Sequence, residues 1–524
     1  MDNFAGNNPM DASELLNQIS PYAPPLEACP AFMSEHLKEM SVKTNLMEQV
    51  EAMINESSPA VADVVIIGGG PGGYVAAVRA AQLGAKVALI EKDELGGVCL
   101  NRGCIPTKSM LSSAEVYNMV AHRSKEFGVK VGEVSLDYGA VIGRRDKIVK
   151  QLVGGVGFLM KKNNIRVLKG TARLASKTTV EVTSADGSKQ TVTGRNIIIA
   201  TGSEPVKVPI PGLEGPNVWD SDGALAATGV PKSLLIIGGG AIGLEWGFMF
   251  RRFGAEVTIV ELMSQVLPFN DSEIALELQK ILKKDGIKIL TGHKVVKVAH
   301  KKGQEVAVVS PADGDGEQEI AAEKILVAVG RRPVTEGLDL DKIGVATERG
   351  KILADERMRT NIPNIYAIGD VVGGMLLAHK ASEEGVIAAE NCMGKSTKMN
   401  YKSVPAAVYT TPEVITVGLS ENTAKERGLD YKVGKFHFRA NGKAMGLGES
   451  DGFVKFVADA KYGEILGCHM IGPHVTDLMH EVVIGMDAEA TIDTIGRAIH
   501  AHPTLSEVVK EAALDVDGEA IHKG

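Results

Sequence analysis

The sequence is poor in the features that mark a secreted scaffold, a nucleic-acid binder or a membrane protein. Of 524 residues only 5 are cysteine, aromatics make up 4%, and the formal net charge is −8. Small disulfide-stapled folds are dense in cysteine, so this ratio excludes that class. The acidic balance, with a pI near 5.9, offers no basic footprint for a phosphate backbone, and no nucleic-acid partner is expected. Apolar runs such as Val64–Ile67 and Leu234–Ile237 are strand-sized and bounded by glycine. They fall far short of the ~20 residues of a membrane span, so no membrane partner is expected either. The chain is too long for one core and predicts three or four domains.

Two of the few cysteines lie close together, in Gly96-Gly-Val-Cys99-Leu-Asn-Arg-Gly-Cys104-Ile-Pro-Thr-Lys108. Such a pair, without an export signal, points to metal or redox chemistry. Metal is the weaker reading, because no second Cys/His cluster with ligand spacing accompanies it. The expectation is therefore no metal and a redox-active pair.

The cysteines follow a nucleotide-binding pattern. Val64–Ile67 runs into Gly68-Gly-Gly70-Pro-Gly-Gly73, a helical stretch follows over Tyr74–Leu83, and a second strand over Lys86–Ile90 ends in Glu91. Glycines let the backbone turn tightly and approach a pyrophosphate at a helix N-terminus, and the carboxylate receives ribose hydroxyls. The pattern recurs: Leu234–Ile237 leads into Gly238-Gly-Gly240-Ala-Ile242-Gly243, and Ile259-Val-Glu261 closes the unit at the same offset. One such loop is weak evidence, but two complete units in register predict two bound dinucleotides. Glu261 would repel a 2′-phosphate, and the Leu-Met-Ser-Gln-Val that follows brings no arginine, so NAD is expected over NADP. The first unit leads directly into the cysteines, so its ligand should be the redox cofactor that exchanges electrons with them.

At this point the chain resembles the flavin-dependent pyridine-nucleotide disulfide oxidoreductases (class I), most closely the branch that oxidises dihydrolipoamide. The resemblance runs from about residue 61 to the C-terminus and rests on GGGPGG at 68–73, GGVCLNRGCIPTK at 96–108, ATGS at 200–203, GGGAIGLEWG at 238–247, VGRRP at 329–333, AIGD at 367–370, LAHKASEEG at 377–385 and HAHPTLSE at 500–507. It implies an α/β fold with two Rossmann-like dinucleotide-binding domains, for FAD and NAD, plus a C-terminal α/β dimerisation domain. The expected boundaries are 61–203 for the FAD domain with the cysteines, 204–333 for the NAD domain, 334–402 for a central domain completing the FAD site, and 403–524 for the dimerisation domain.

The resemblance also assigns residues. Cys99, Cys104, His502 and Glu507 are the expected catalytic set. FAD contacts are expected from Gly68, Gly70, Gly73, Glu91, Lys108, Ala172, Thr201, Gly202, Ser203, Asp370 (at the end of a strand over Ile365–Ile368), Leu376, Leu377, Ala378 and His379. NAD contacts are expected from Gly238, Gly240, Ile242, Gly243, Glu245, Glu261, Val295 and Gly330, with Glu245 pairing Lys108. Val98 and Arg102 stand where relatives often carry Thr and Val, between groups that do the chemistry. Oxidising a dithiol needs a base, and no histidine lies beside the cysteines in sequence. His502 fills that role by resemblance, oriented by Glu507, while His500 reads as a bystander. The implied partners are a second copy of the chain, with active sites shared across the homodimer, and a lipoyl-bearing protein of a 2-oxoacid dehydrogenase complex or glycine cleavage system.

Alternatives stay within view. Glutathione reductases usually show arginines after the second ribose strand, and mercuric reductases usually end in a cysteine pair; this chain ends Ala520-Ile-His-Lys-Gly524. A non-catalytic flavoprotein scaffold would need none of Cys99, Cys104, Lys108, His502 and Glu507. The N-terminal arm, residues 1–60, is acidic, lacks arginine and has a proline patch at Pro21–Pro25. That composition fits neither a transit nor a signal peptide, so the expected location is cytoplasmic. Leu37, Met40, Met47, Val50 and Met53 recur at near-helical spacing, the pattern of a short amphipathic helix in an otherwise flexible leader or docking arm.

Overall fold

The computed structural model describes residues 61–301, 303–314 and 316–523. The arm, and the helix expected within it, lie outside the described residues.

The strand Val61–Ile67 ends in the apolar run Val64–Ile67, in which Val64, Val65 and Ile66 are fully buried. A strand covered on both faces takes this form, and it is the centre of a parallel layer. Val87–Glu91 and then Arg166–Lys169 pair in parallel on one side of it, and Lys189–Ile199 pairs in parallel on the other. Ile365–Ala367 adds to Lys189–Ile199 in parallel, so a segment far along the chain returns to this first sheet. Two antiparallel strands, Thr171–Leu174 and Thr179–Thr183, extend it.

The second unit repeats the layout. Ser233–Ile237 is central, with Glu256–Glu261 and Lys288–Thr291 in parallel on one side and Lys324–Val327 and Val218–Trp219 on the other. The helix Ser272–Lys284 buries Ile274, Ala275, Leu278, Ile281 and Leu282. Their three- and four-residue spacing makes one apolar stripe, and Asp271 caps its start by accepting from the Glu273 N–H at 3.1 Å. A three-stranded antiparallel meander, His293–Lys301, Gln304–Pro311 and Gln318–Ala322, accompanies this sheet. Ser203–Pro205 pairs antiparallel with Arg331–Pro333 where the chain leaves and re-enters the first unit.

The C-terminal unit is different: a five-stranded antiparallel sheet ordered Ala406–Val408, Glu413–Gly418, Ile465–Gly472, Phe453–Asp459, Tyr431–His437. The helices Val475–Asp487, Ile492–Arg497 and Glu507–Asp515 cover its core. A buried ion cluster ties it to the second unit. Lys455, on the sheet, reaches Asp271 at 3.1 Å, Glu273 at 2.8 Å and Glu421 at 2.6 Å. Lys455 and Asp271 are each 1% exposed, so both charges depend on these partners.

Candidate active site

The first glycine loop turns between Val61–Ile67 and the helix Pro71–Gln82. Gly68 has φ +108, and a Cβ on Gly73 would lie 1.8 Å from the Gly68 carbonyl oxygen, so the turn itself demands glycine at both. Gly70 is different. Its backbone is extended, and the nearest atom to an added Cβ is 3.9 Å away. The second loop matches: Gly243 would meet the Gly238 oxygen at 2.1 Å, while a Cβ on Gly240 would meet nothing within 4 Å. Neither Gly70 nor Gly240 caps its helix with a side chain. Each loop thus presents uncapped N–H groups to open space, a cradle that fits a dinucleotide pyrophosphate.

Glu91 and Glu261 lie at the ends of Val87–Glu91 and Glu256–Glu261 beside these loops, both buried. Each strand includes its carboxylate. In the first, the strand runs one residue further than the Lys86–Ile90 pattern, because its backbone pairs with Lys169 through Glu91. Ile242 and Gly243 lie in the first turn of the helix Ala241–Arg252. Gly330, φ +121, follows the strand Lys324–Val327 and has open space where a side chain would project. Val295 and Ala172 are buried on the strands His293–Lys301 and Thr171–Leu174.

Gly96, with φ +88, reverses the chain into the short helix Gly97–Asn101, which carries Cys99. Gly103 then starts the helix Cys104–Asn118, and Cys104 is its first residue. Both cysteines are free thiols in this structure. The two sulfurs titrate as a pair: the interaction with Cys104, together with burial, pushes Cys99 up. The same interaction lowers Cys104 to about 7, helped by the Lys108 ammonium against the opposing effect of burial. A position at the N-terminus of a fifteen-residue helix favours the thiolate in the same sense.

Lys108, one turn along that helix, donates to Glu245 Oε2 at 2.6 Å. Glu245 is buried on the second unit's helix Ala241–Arg252, and its other oxygen accepts from the Tyr409 N–H at 3.0 Å. Lys108 Nζ also lies 4.6 Å from the centre of the Tyr409 ring. Sequence reading missed Tyr409, whose neighbourhood carries no motif.

Asp370 lies in the turn Gly369–Val372, beyond the strand Ile365–Ala367 rather than at its end. The difference arises because Gly369 takes φ +75 and donates its N–H to buried Glu384 at 2.7 Å. Ser203 donates to Asp370 at 2.5 Å, and Arg331 donates to Ser203 Oγ at 2.8 Å. Thr201 Oγ1 donates to the Val334 carbonyl at 2.6 Å, and Gly202 turns with φ +73. Leu376 precedes the helix Ala378–Cys392, Leu377 is its N-cap, and Ala378 and His379 open it. His379 Nε2 lies 2.7 Å from the Pro405 carbonyl. Close packing on Pro71–Gln82 sets this helix, since a Cβ on Gly385 would lie 2.4 Å from the Gly72 oxygen. Arg331 and Glu384 were also missed, since both act through contacts distant in sequence.

His502 and Glu507 meet in the C-terminal unit. Nδ1 lies 2.9 Å from Glu507 Oε1, and Glu507 Oε2 accepts from the Thr504 N–H at 2.9 Å. Burial would raise the Glu507 carboxyl, but the Thr504 N–H and His502 outweigh it and hold it low. The carboxylate fixes the Nδ1–H tautomer and leaves Nε2 facing outward. The His502 side chain is 79% exposed, and Glu507 is its hydrogen-bond partner among the described residues. Within one chain the structure therefore does not bring the histidine to the thiols. His500 is no bystander in structural terms: its ring contacts Glu481, on Val475–Asp487, at 3.2 Å.

Among the described residues no group of His, Cys, Asp and Glu could hold a metal ion, and no helix is long and apolar enough to cross a membrane.

Comparison with known proteins agrees with this layout. The dihydrolipoyl dehydrogenase of Bacillus subtilis is 45% identical, covering 88% of this chain and 99% of that one. The mitochondrial dihydrolipoyl dehydrogenase of Pisum sativum is also 45% identical, over 88% and 92%. A solved flavoprotein disulfide reductase of Escherichia coli, induced by hypochlorous acid, superposes with a TM-score of 0.77 at 30% identity, covering 86% of this chain and 98% of that one. The expected α/β fold and the FAD and NAD cofactors accord with these relatives. The pyridine nucleotide-disulphide oxidoreductase model matches residues 62–385 and its dimerisation-domain model matches 404–513, so the chain belongs to the pyridine nucleotide-disulphide oxidoreductase family.

Proposed function

We propose that this chain is a dihydrolipoyl dehydrogenase: a homodimer that oxidises protein-bound dihydrolipoamide and reduces NAD+ to NADH. The observation that carries the reading is the asymmetric placement of the thiol pair. Cys104 opens a fifteen-residue helix, one turn before Lys108 and its partner Glu245, whereas Cys99 lies on the short helix that precedes it. Such a pair separates the exchanging sulfur from the one that hands on electrons.

The cycle starts from a Cys99–Cys104 disulfide. His502 Nε2, with Glu507 holding Nδ1–H, accepts a proton from one dihydrolipoamide thiol. The resulting thiolate attacks the Cys99 sulfur, a mixed disulfide forms, and Cys104 leaves as the thiolate beside Lys108. The second lipoyl thiol then gives up its proton as its sulfur attacks the first: the lipoamide disulfide closes, the Cys99–lipoyl bond breaks, Cys99 takes that proton, and His502 keeps the first as the imidazolium that balances the Cys104 thiolate. Gly68, Gly70, Gly73 and Glu91 would hold FAD, which when bound would supply the two-electron relay between the dithiol and NAD+. Lys108 and Glu245, fixed by Tyr409, would stand between the cysteine helix and the second nucleotide unit. Because His502 is exposed within its own chain, we assign it to the thiols of the second subunit.

The lipoyl-bearing partner would belong to a 2-oxoacid dehydrogenase complex or the glycine cleavage system, and the acidic arm favours a cytoplasmic setting. Steady-state turnover of the full-length holoenzyme with free dihydrolipoamide, with NAD+ and NADP+ in parallel, tests the reading. Turnover with NAD+ is expected; indifference to dihydrolipoamide, or preference for NADP+, would overturn it.

A further inference from the structure

Two residues before His502, His500 is buried where His502 is not, its side chain 8% exposed. Both of its ring nitrogens are engaged. Nδ1 lies 3.1 Å from the Ala498 carbonyl, and Nε2 lies 3.2 Å from Glu481 Oε2. A carbonyl can only accept, so Nδ1 carries a proton. The Nε2 contact then needs one more: either a carboxyl O–H aimed at a neutral ring, or an imidazolium N–H aimed at a carboxylate.

Either form joins the same two atoms. Among the described residues the second oxygen of Glu481, Oε1, has no hydrogen-bond partner, so Oε2 carries the side chain's one fixed contact. Burial pushes this carboxyl up, against the pull of His500. The titratable neighbours are the buried Cys468 thiol on the strand Ile465–Gly472, which feels Glu481, and Glu507, whose carboxylate is drawn to the His500 ring. In both forms one proton between Nε2 and Oε2 holds the ring to the helix, while Nδ1–H holds it to the Ala498 carbonyl.

The segment 498–506, between the helices Ile492–Arg497 and Glu507–Asp515, has no regular structure. Its second half is tied down: Thr504 Oγ1 donates to the Ala501 carbonyl at 2.7 Å, and Asn441 donates to the Thr504 carbonyl at 2.9 Å. Its first half has little apolar anchoring, since Ile499 is 98% exposed. We infer that Glu481 and His500 are positioning residues, a carboxyl–imidazole clasp that fastens this segment to the helix Val475–Asp487 and fixes where the His502 ring is presented. The inference rests on the reading of His502 as the base of dithiol oxidation.

Two variants of the full-length holoenzyme test it. Glu481→Gln keeps a neutral N–H donor facing His500, whereas Glu481→Ala removes it. Three measurements are compared: alkylation of Cys99 by iodoacetamide in the reduced dimer, kcat/KM with free dihydrolipoamide, and hydride exchange from NADH to an oxidised NAD analogue. The last does not call on His502. Glu481→Ala should slow alkylation and dithiol oxidation about tenfold, because small misplacements of a catalytic group cost that much or more, while hydride exchange stays within about twofold. Glu481→Gln should restore both affected rates to within about threefold of wild type. The clasp is overturned if Glu481→Ala behaves as wild type, if Glu481→Gln is as poor as Glu481→Ala, or if hydride exchange falls equally. A wild-type enzyme inert toward dihydrolipoamide would instead sink the substrate reading, and the alkylation rates would still judge the clasp.

Discussion

Glu91 and Glu261 make the same two hydrogen bonds in two different sheets. In each, Oε2 accepts from the N–H of the second loop glycine at 2.6 Å, Gly69 in one and Gly239 in the other. In each, Oε1 accepts from the N–H two residues on, Asp93 at 2.7 Å and Met263 at 2.8 Å. Backbone donors aim both carboxylates, with lone pairs left for ribose hydroxyls.

Nucleotide choice follows from that geometry. Glu261→Gln should weaken NAD+ binding by about 10- to 100-fold, the scale of a lost hydrogen bond to a charged group. NADP+ should gain little, because the exposed residues that follow, Leu262 and Met263, are apolar and give a 2′-phosphate no cation. Michaelis constants for both nucleotides check this, and a variant that turns over NADP+ as well as wild type does NAD+ would contradict it.

The two thiols should be separable by colour. Cys99→Ser leaves Cys104, the sulfur assigned to the flavin, so the long-wavelength absorbance that a thiolate gives next to an oxidised flavin should persist. Cys104→Ser should abolish it. The reverse pattern would exchange the roles assigned to the two sulfurs.

That absorbance should also titrate in a defined direction. Cys104 is lowered to about 7, so the band should be full in alkaline solution and fade as pH falls through that region. Lys108→Met removes a cation that holds the thiolate, and the fading should begin at higher pH. A pH titration of the two-electron-reduced enzyme with and without Lys108→Met decides it; coincident curves would remove Lys108 from the account.

Shared sites predict complementation. Cys99→Ser and His502→Gln should each be inactive alone, and mixed dimers should regain activity after subunit exchange, since some pair an intact Cys99 with an intact His502. Failure to recover activity, with exchange verified by mass, would place the histidine and thiols of one site on one chain.

Lys455→Met should be strongly destabilising. It strands Asp271, 1% exposed, beside Glu273 and Glu421, and breaking a buried pair from one side costs about 3–5 kcal/mol. A thermal melt of the holoenzyme measures the loss. An unchanged melting temperature would show that the cluster contributes nothing to holding the second unit against the C-terminal sheet.

The parts legible in the sequence are those whose chemistry is local. A glycine loop, its strand and its carboxylate lie within one short span, as do Cys99, Cys104 and Lys108, and as do His502 and Glu507. The parts that escaped depend on contacts between distant segments. Nothing near Tyr409 announces that its N–H completes the shell of Glu245, 164 positions away. His500 looked idle because its partner Glu481 lies a helix and a half upstream in the chain. Asp370 was placed a step early because the turn after Ile365–Ala367 depends on Glu384 catching the Gly369 N–H, and the alternation of residues along the strand does not show that contact.

Lys108, Glu245 and Tyr409 come from the first nucleotide unit, the second and the C-terminal sheet, and they meet at one point behind the thiols. None of the three pieces can be exchanged for a relative's without the other two agreeing on that junction. Chimeras cut between the units should therefore draw their redox behaviour from how the three pieces meet rather than from any one parent.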